Sequence, residues 1–186
     1  MMQENMKIVI IDSGISNAKS VSNMLKRLGH KSVISSDVET IKSADKIVLP
    51  GVGSFDSGMA QLIDLNIIDI LTEKVIVKKT PFLGICLGMQ MLFNRSDEGD
   101  YEGVGWMKGN VRKFDISHNI KVPHMGWNYV HQFQDNKLIV NKTSKFYFVH
   151  SYYIDCDNEY VIGQTSYHHN FVSAVRKGNI YGVQFH

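Results

Sequence analysis

Two residues have the chemistry of a nucleophile and its base, and each sits where an apolar segment ends. Cys86 lies in Thr80-Pro81-Phe82-Leu83-Gly84-Ile85-Cys86-Leu87-Gly88-Met89-Gln90-Met91-Leu92-Phe93. After the proline, Phe82, Leu83 and Ile85 read as a short buried strand, and Met89, Met91, Leu92 and Phe93 as the apolar residues of a helix. Gly84 and Gly88 stand two positions either side of the cysteine, the spacing of a tight strand-turn-helix elbow, where neighbouring backbone passes too close for a Cβ. The expectation is an exposed thiol at a helix N-terminus, its pKa lowered from about 8.5, with the Leu87 N–H available to an oxyanion. A small buried hydrophobe in a core strand satisfies the same position.

The base candidate is His186, at the end of Tyr181-Gly182-Val183-Gln184-Phe185-His186. Val183 and Phe185 alternate with polar residues, so a strand could deliver this imidazole to the sheet edge that carries Cys86. Most histidines are structural or merely solvated, and the chain has eight. A third piece is Pro50-Gly51-Val52-Gly53-Ser54, whose two glycines let backbone N–H groups turn toward a ligand. An ordinary strand-to-helix turn capped by Ser54 or Asp56 fits it as well.

These pieces need a scaffold, and the chain in order supplies one. Apolar strands at 6–11, 33–34 and 46–49 alternate with helical patterns at 18–28, after Asp37, and from Ser54 to Lys79. That rhythm predicts a parallel sheet with helices on both faces, three layers in all, whose ligands gather at the carboxyl ends of the strands. Asn94 to Gly103 reads as a loop near that edge. Beyond Val104, strand-like segments at 109–114, 120–122, 128–133, 146–154, 160–166, 171–176 and 180–185 follow one another, with Lys177-Gly178-Asn179 as a tight hairpin. The second half is therefore expected to extend the sheet in antiparallel or mixed fashion, within one α/β domain over 1–186.

Composition excludes several classes. With 186 residues, 44% hydrophobic and 20% charged, the chain reads as a globular domain, and a net charge of +2 with scattered lysines suggests no nucleic-acid stripe. No apolar run approaches the ~18 residues that would span a bilayer. Cys86 and Cys156 lie far apart, and a reducing cytoplasm is the expected location.

The Gly84–Gln90 elbow, Pro50-Gly51-Val52-Gly53 and Gly182-Val183-Gln184-Phe185-His186 occur in the order and spacing of class I glutamine amidotransferases. Val122-Pro123-His124-Met125-Gly126-Trp127-Asn128 and Phe148-Val149-His150-Ser151-Tyr152 narrow the match, and the chain resembles the glutaminase subunits of imidazole glycerol phosphate synthases over nearly its whole length. The resemblance implies a flavodoxin-like amidotransferase fold in which Cys86 is the nucleophile and His186 its base and acid. Leu87 and the Gly51, Val52, Gly53 loop would form the oxyanion hole, and Gln90, Glu98, Ser151 and Tyr152 would hold L-glutamine. Met125, Trp127 and Tyr147 would meet a (β/α)8 barrel cyclase in a heterodimer that makes imidazole glycerol phosphate for histidine biosynthesis. The resemblance implies no metal and no cofactor.

Two departures qualify it. Family members carry a glutamate two places after the histidine, so a continuation past His186 by roughly one helix is expected. At Asp12-Ser13-Gly14-Ile15-Ser16-Asn17 the family usually has an aromatic residue in place of Ser13 and a glycine in place of Ser16. That change leaves open a paralogue feeding ammonia to a surface-sugar amidotransferase, or a non-catalytic regulatory subunit on the same fold.

Overall fold

A computed structural model describes residues 6–14, 16–115 and 121–186. The parallel half follows from its apolar runs. β1 (Ile8–Ile11) is four β-branched residues, all buried, and its period of two divides them between two faces. Ile8 and Ile10 pack with Ala18, Val21 and Leu25 of α1 (Ala18–Arg27), while Val9 and Ile11 join the cluster holding Phe55, Met59 and Leu62 of α3 (Phe55–Asp64). Helices thus cover both faces, as expected. Each of those fully buried α3 side chains contributes roughly 1.5–3 kcal/mol.

Between them run β2 (Ser32–Ser35), α2 (Val38–Lys42) and β3 (Lys46–Gly51). Asp37 caps α2, its carboxylate accepting from the Thr40 N–H at 2.8 Å, and Ser54 caps α3 through the Ser57 N–H at 3.3 Å. The region to Lys79 resolves into two helices, α3 and α4 (Ile68–Thr72), followed by a π-helical turn at Glu73–Val77. β4 (Phe82–Cys86) leads into α5 (Leu87–Gln90). This helix ends at Gln90, earlier than the apolar spacing suggested; Met91, Leu92 and Phe93 leave it as a turn yet stay buried in the main core.

The second half is built of strands: β5 (Arg95–Ser96), β6 (Gly109–Lys113), β7 (His124–Gln132), β8 (Thr143–His150), β9 (Tyr152–Cys156), β10 (Val161–Tyr167), β11 (His169–Lys177) and β12 (Ile180–Val183). The sheet order is β2-β1-β3-β4-β12-β11-β10-β7-β8, parallel from β2 to β12 and antiparallel beyond, with β6 and β9 attached to β11. β7 begins four residues before the expected start, and the segment at 146–154 is two strands broken at Ser151. Ile120 lies outside the described residues, and Lys121 and Val122 are in no strand. The expected hairpin is present: Lys177 pairs with Ile180 around Gly178, whose φ is +59°.

One placement matters most for the site. β12 lies parallel to β4, pairing Gly182 with Gly84 and Val183 with Ile85, so the residues after Val183 emerge beside Cys86 at the carboxyl edge. Among the described residues no helix is long and apolar enough to cross a membrane.

Candidate active site

The elbow exists because its glycines leave room. Cys86 has φ 56° and ψ −112°, a conformation that costs a non-glycine residue of order 1–3 kcal/mol and persists only where the surroundings impose it. They do. A Cβ on Gly84 would lie 2.5 Å from the Gly88 carbonyl oxygen, and one on Gly88 would collide with the Leu49 carbonyl oxygen. Gly51 pairs with Cys86 across β3 and β4, and a Cβ there would sit 2.9 Å from Leu87 Cβ. Gly51 is therefore the support packed behind the elbow, while Val52 and Gly53 (φ +88°) reach the open side.

In front of the elbow is a cleft of about 340 Å3 lined by Val52, Gly53, Cys86, Leu87, Gln90, Glu98, Pro123, Val149, His150, Ser151, Tyr152 and His186. Nine of these are residues that the sequence singled out, drawn from the loop after β3, the elbow, the loop after β5, the β8–β9 break and the segment after β12. Pro123, Val149 and His150 were not singled out individually.

The thiol departs from expectation. Cys86 is 8% exposed, and burial pushes its pKa up to about 11, against the opposing pull of the Leu87 N–H and the Gln184 amide. The helix it introduces has only four residues, too short for its positive end to outweigh desolvation. Gln184 Nε2 donates to Sγ at 3.5 Å. The His186 imidazole shares the cleft but makes no hydrogen bond to the sulfur; its main-chain N–H donates to the Tyr147 carbonyl at 2.9 Å. Desolvation lowers the pKa of this ring, which keeps it neutral, and so a proton acceptor, near pH 7.

The polar wall is committed internally. Gln184, with no exposed surface, accepts from Gln90 Nε2 at 3.0 Å, and Gln90 Nε2 also approaches the Tyr152 carbonyl at 3.4 Å. Glu98 Oε2 accepts from the Phe55 N–H at 2.7 Å, tying the carboxylate to the start of α3; among the described residues Oε1 has no hydrogen-bond partner. Ser151 occupies the break between β8 and β9, its carbonyl accepting from the Phe114 N–H at 3.2 Å. Burial raises the pKa of the Tyr152 phenol, with Glu98 and Asp97 adding to it.

The β7–β8 ribbon borders this cleft and turns an apolar face outward. Met125 is 62% and Trp127 67% exposed. Trp127 pairs across the strands with half-buried Tyr147, their rings 5.9 Å apart and nearly perpendicular. Sequence reasoning overlooked Gln184 as a separate group and the buried pair His124 and His150, although both histidines stood in quoted motifs; they pair directly across β7 and β8.

An elbow cysteine and a histidine just beyond the last strand face one cleft at the edge of an open α/β sheet, an arrangement suited to acyl transfer through a thiol. The model of class-I glutamine amidotransferases matches residues 9–186, and the chain belongs to that family. Among curated relatives it is 52% identical to imidazole glycerol phosphate synthase subunit HisH 2 of Methanococcus maripaludis, covering 96% of this chain and 90% of that protein. It is 45% identical to subunit HisH of Leptospira interrogans, over 96% of this chain and 91% of that one. Among solved structures, a glutamine amidotransferase superimposes with a TM-score of 0.77 at 14% identity, over 96% of this chain and 89% of the other. That last likeness bears on the fold alone.

Proposed function

We propose that this chain is the glutaminase subunit of an imidazole glycerol phosphate synthase, hydrolysing L-glutamine to glutamate and ammonia for histidine biosynthesis. The observation that carries the reading is the single cleft that gathers Cys86, His186, the Val52–Gly53 and Leu87 backbone, and Gln90, Glu98, Ser151 and Tyr152. Neutral His186 accepts the Cys86 proton as sulfur attacks the side-chain amide carbon of glutamine. N–H groups of the Leu87 and Val52–Gly53 backbone hold the oxyanion. As the C–N bond breaks, the imidazolium gives its proton to the leaving nitrogen, which departs as ammonia. Water, deprotonated by His186, then attacks the thioester and releases glutamate. Glu98 Oε1 suits the α-amino group of the substrate, and the Ser151 and Tyr152 hydroxyls suit its carboxylate.

The acceptor of the ammonia is a (β/α)8 barrel cyclase docked on Met125, Trp127 and Tyr147. Support comes from the exposed aromatic face and its continuity with the site, since the Tyr147 carbonyl holds the His186 main chain. A thiol held near 11 makes the isolated subunit a slow enzyme, and docking is the event that speeds it. The reducing cytoplasm suits the two free cysteines. A second reading, a paralogue serving a sugar amidotransferase, draws on Ser13, a small buried polar residue where an aromatic one is usual.

The test is glutamate release from glutamine, with and without the cyclase and its nucleotide. Cys86→Ala is expected to release none under either condition; ordinary turnover by that variant overturns the proposal. Stimulation by a sugar amidotransferase, but not by the cyclase, selects the second reading.

A further inference from the structure

We propose that His124 and His150, oriented by Asn128, are positioning residues for the glutaminase reaction: together they form a relay of fixed hydrogen-bond direction from the docking strand to the Tyr152 carbonyl. Through that carbonyl they set Gln90 and Gln184 against the Cys86 sulfur. The inference rests on the function proposed above and assigns roles to residues that reading does not use.

The direction of the relay is determined from both ends by backbone carbonyls, which can only accept. At one end, Asn128 Nδ2 donates to the Ser166 carbonyl at 3.0 Å while its Oδ1 accepts the Tyr129 N–H at 2.7 Å. The amide nitrogen therefore faces His124 Nε2, 3.2 Å away, and that ring nitrogen must accept. The proton of His124 is left on Nδ1, which lies 2.9 Å from His150 Nε2 and donates to it. His150 then carries its own proton on Nδ1, 2.7 Å from the Tyr152 carbonyl. Reasoning backward from Tyr152 gives the same tautomers.

On the far side of that carbonyl the order continues. Gln90 points Nε2 toward Tyr152 and toward Gln184 Oε1, so Gln184 must turn Nε2 to the sulfur. Both rings are held in place. His124 stacks on Tyr167 at 4.0 Å and on Phe148 at 4.9 Å, and His150 sits 5.1 Å from Phe171. Burial lowers His124 to about 4 and His150 to about 3, so both are neutral throughout the physiological range, and the relay is a fixed strut rather than a pH switch. A proton added to either ring would set N–H against N–H.

Two amide substitutions of like chemistry separate this role from packing. His150→Asn places an N–H near the former Nδ1 and keeps the bond to Tyr152, whereas His150→Gln places its amide near Nε2 and drops it. With the full chain and its synthase partner, His150→Gln is expected to raise KM for glutamine about tenfold, the scale of one lost buried hydrogen bond, with kcat changed less than threefold. His150→Asn, which keeps the bond to Tyr152 but gives up the acceptor for His124 Nδ1, should raise KM less than His150→Gln does. Iodoacetamide labelling of Cys86, which needs no turnover, should differ between the two variants in the same order. Equal KM values and equal labelling rates overturn the relay. Should His150→Gln fail to fold, His124→Asn against His124→Leu asks the same question one link away, since only the former retains a donor to His150; equal KM values there overturn it too. If Cys86→Ala still turns over glutamine, the functional reading fails, while the labelling comparison still decides the relay.

Discussion

The acidity of Cys86 is the quantity on which the resting state depends. Burial moves its pKa from an ordinary 9.0 to about 11, which is about a hundredfold reduction in thiolate at any pH well below 9. At pH 7.5 the reactive fraction falls to roughly 3 in 10,000, against about 3 in 100 for an unperturbed thiol of the same ordinary value. Two hydrogen bonds oppose this, from the Leu87 N–H and from Gln184, but desolvation is the larger effect. The perturbation is pH itself, and the assay is the rate of iodoacetamide incorporation into the Cys86 peptide, resolved by mass spectrometry from Cys156. Burial also pushes Cys156 up, to about 12. The logarithm of the Cys86 rate should climb by one per pH unit from 7 to 10 without levelling. A plateau with its midpoint at or below 8.5 would refute the reasoning, because the elbow N–H and Gln184 would then outweigh burial.

Two further outcomes follow from the geometry. Gly88→Ala would drive a Cβ into the Leu49 carbonyl oxygen; overpacking there should cost about 3 kcal/mol and lower the melting temperature by about 6–12 °C, and an unchanged melt would mean that the elbow yields. Acid should destabilise the fold through two buried rings: His124 and His150 stay neutral when folded but take up protons at about 6.5 once unfolded, so stability is full above that pH and falls as pH drops through 6 toward 4. For His150 alone the loss reaches about 2 kcal/mol at pH 5, measurable as a shift of the urea midpoint; a midpoint equal at pH 7.5 and 5 would contradict it.

The elbow was legible because its glycines announce a close approach whatever lies opposite, and the structure names what lies opposite: Gly88, Leu49 and Leu87. The parallel half was legible for a similar reason, since Ile8 to Ile11 and Lys46 to Leu49 carry their own signal. The state of the thiol was not. The thiol is buried where Gln184, after β12, meets the elbow, and it shares its cleft with residues of α5 and β9, so no local pattern reports that convergence. The His124–His150 pair was hidden by register. The strand was expected to begin at Asn128, so the cross-strand partner of His150 fell outside it. Counting the hairpin outward from Trp127 opposite Tyr147 would have brought the two rings together. Ser151 was likewise read through as strand, because Phe146 to Ile154 is apolar enough to hide the break.

The seat of β12 has a kinetic consequence. It fills the gap between β4 and β11, yet about a hundred residues of chain separate its partner Gly84 from Gly182. Closing so long a loop is slow, and until it happens the flank of β4 is bare and His186 is far from the elbow. A nascent chain therefore keeps its sulfur and its imidazole apart until β12 has been made and seated. The cleft is complete only with the joining of the two half-sheets.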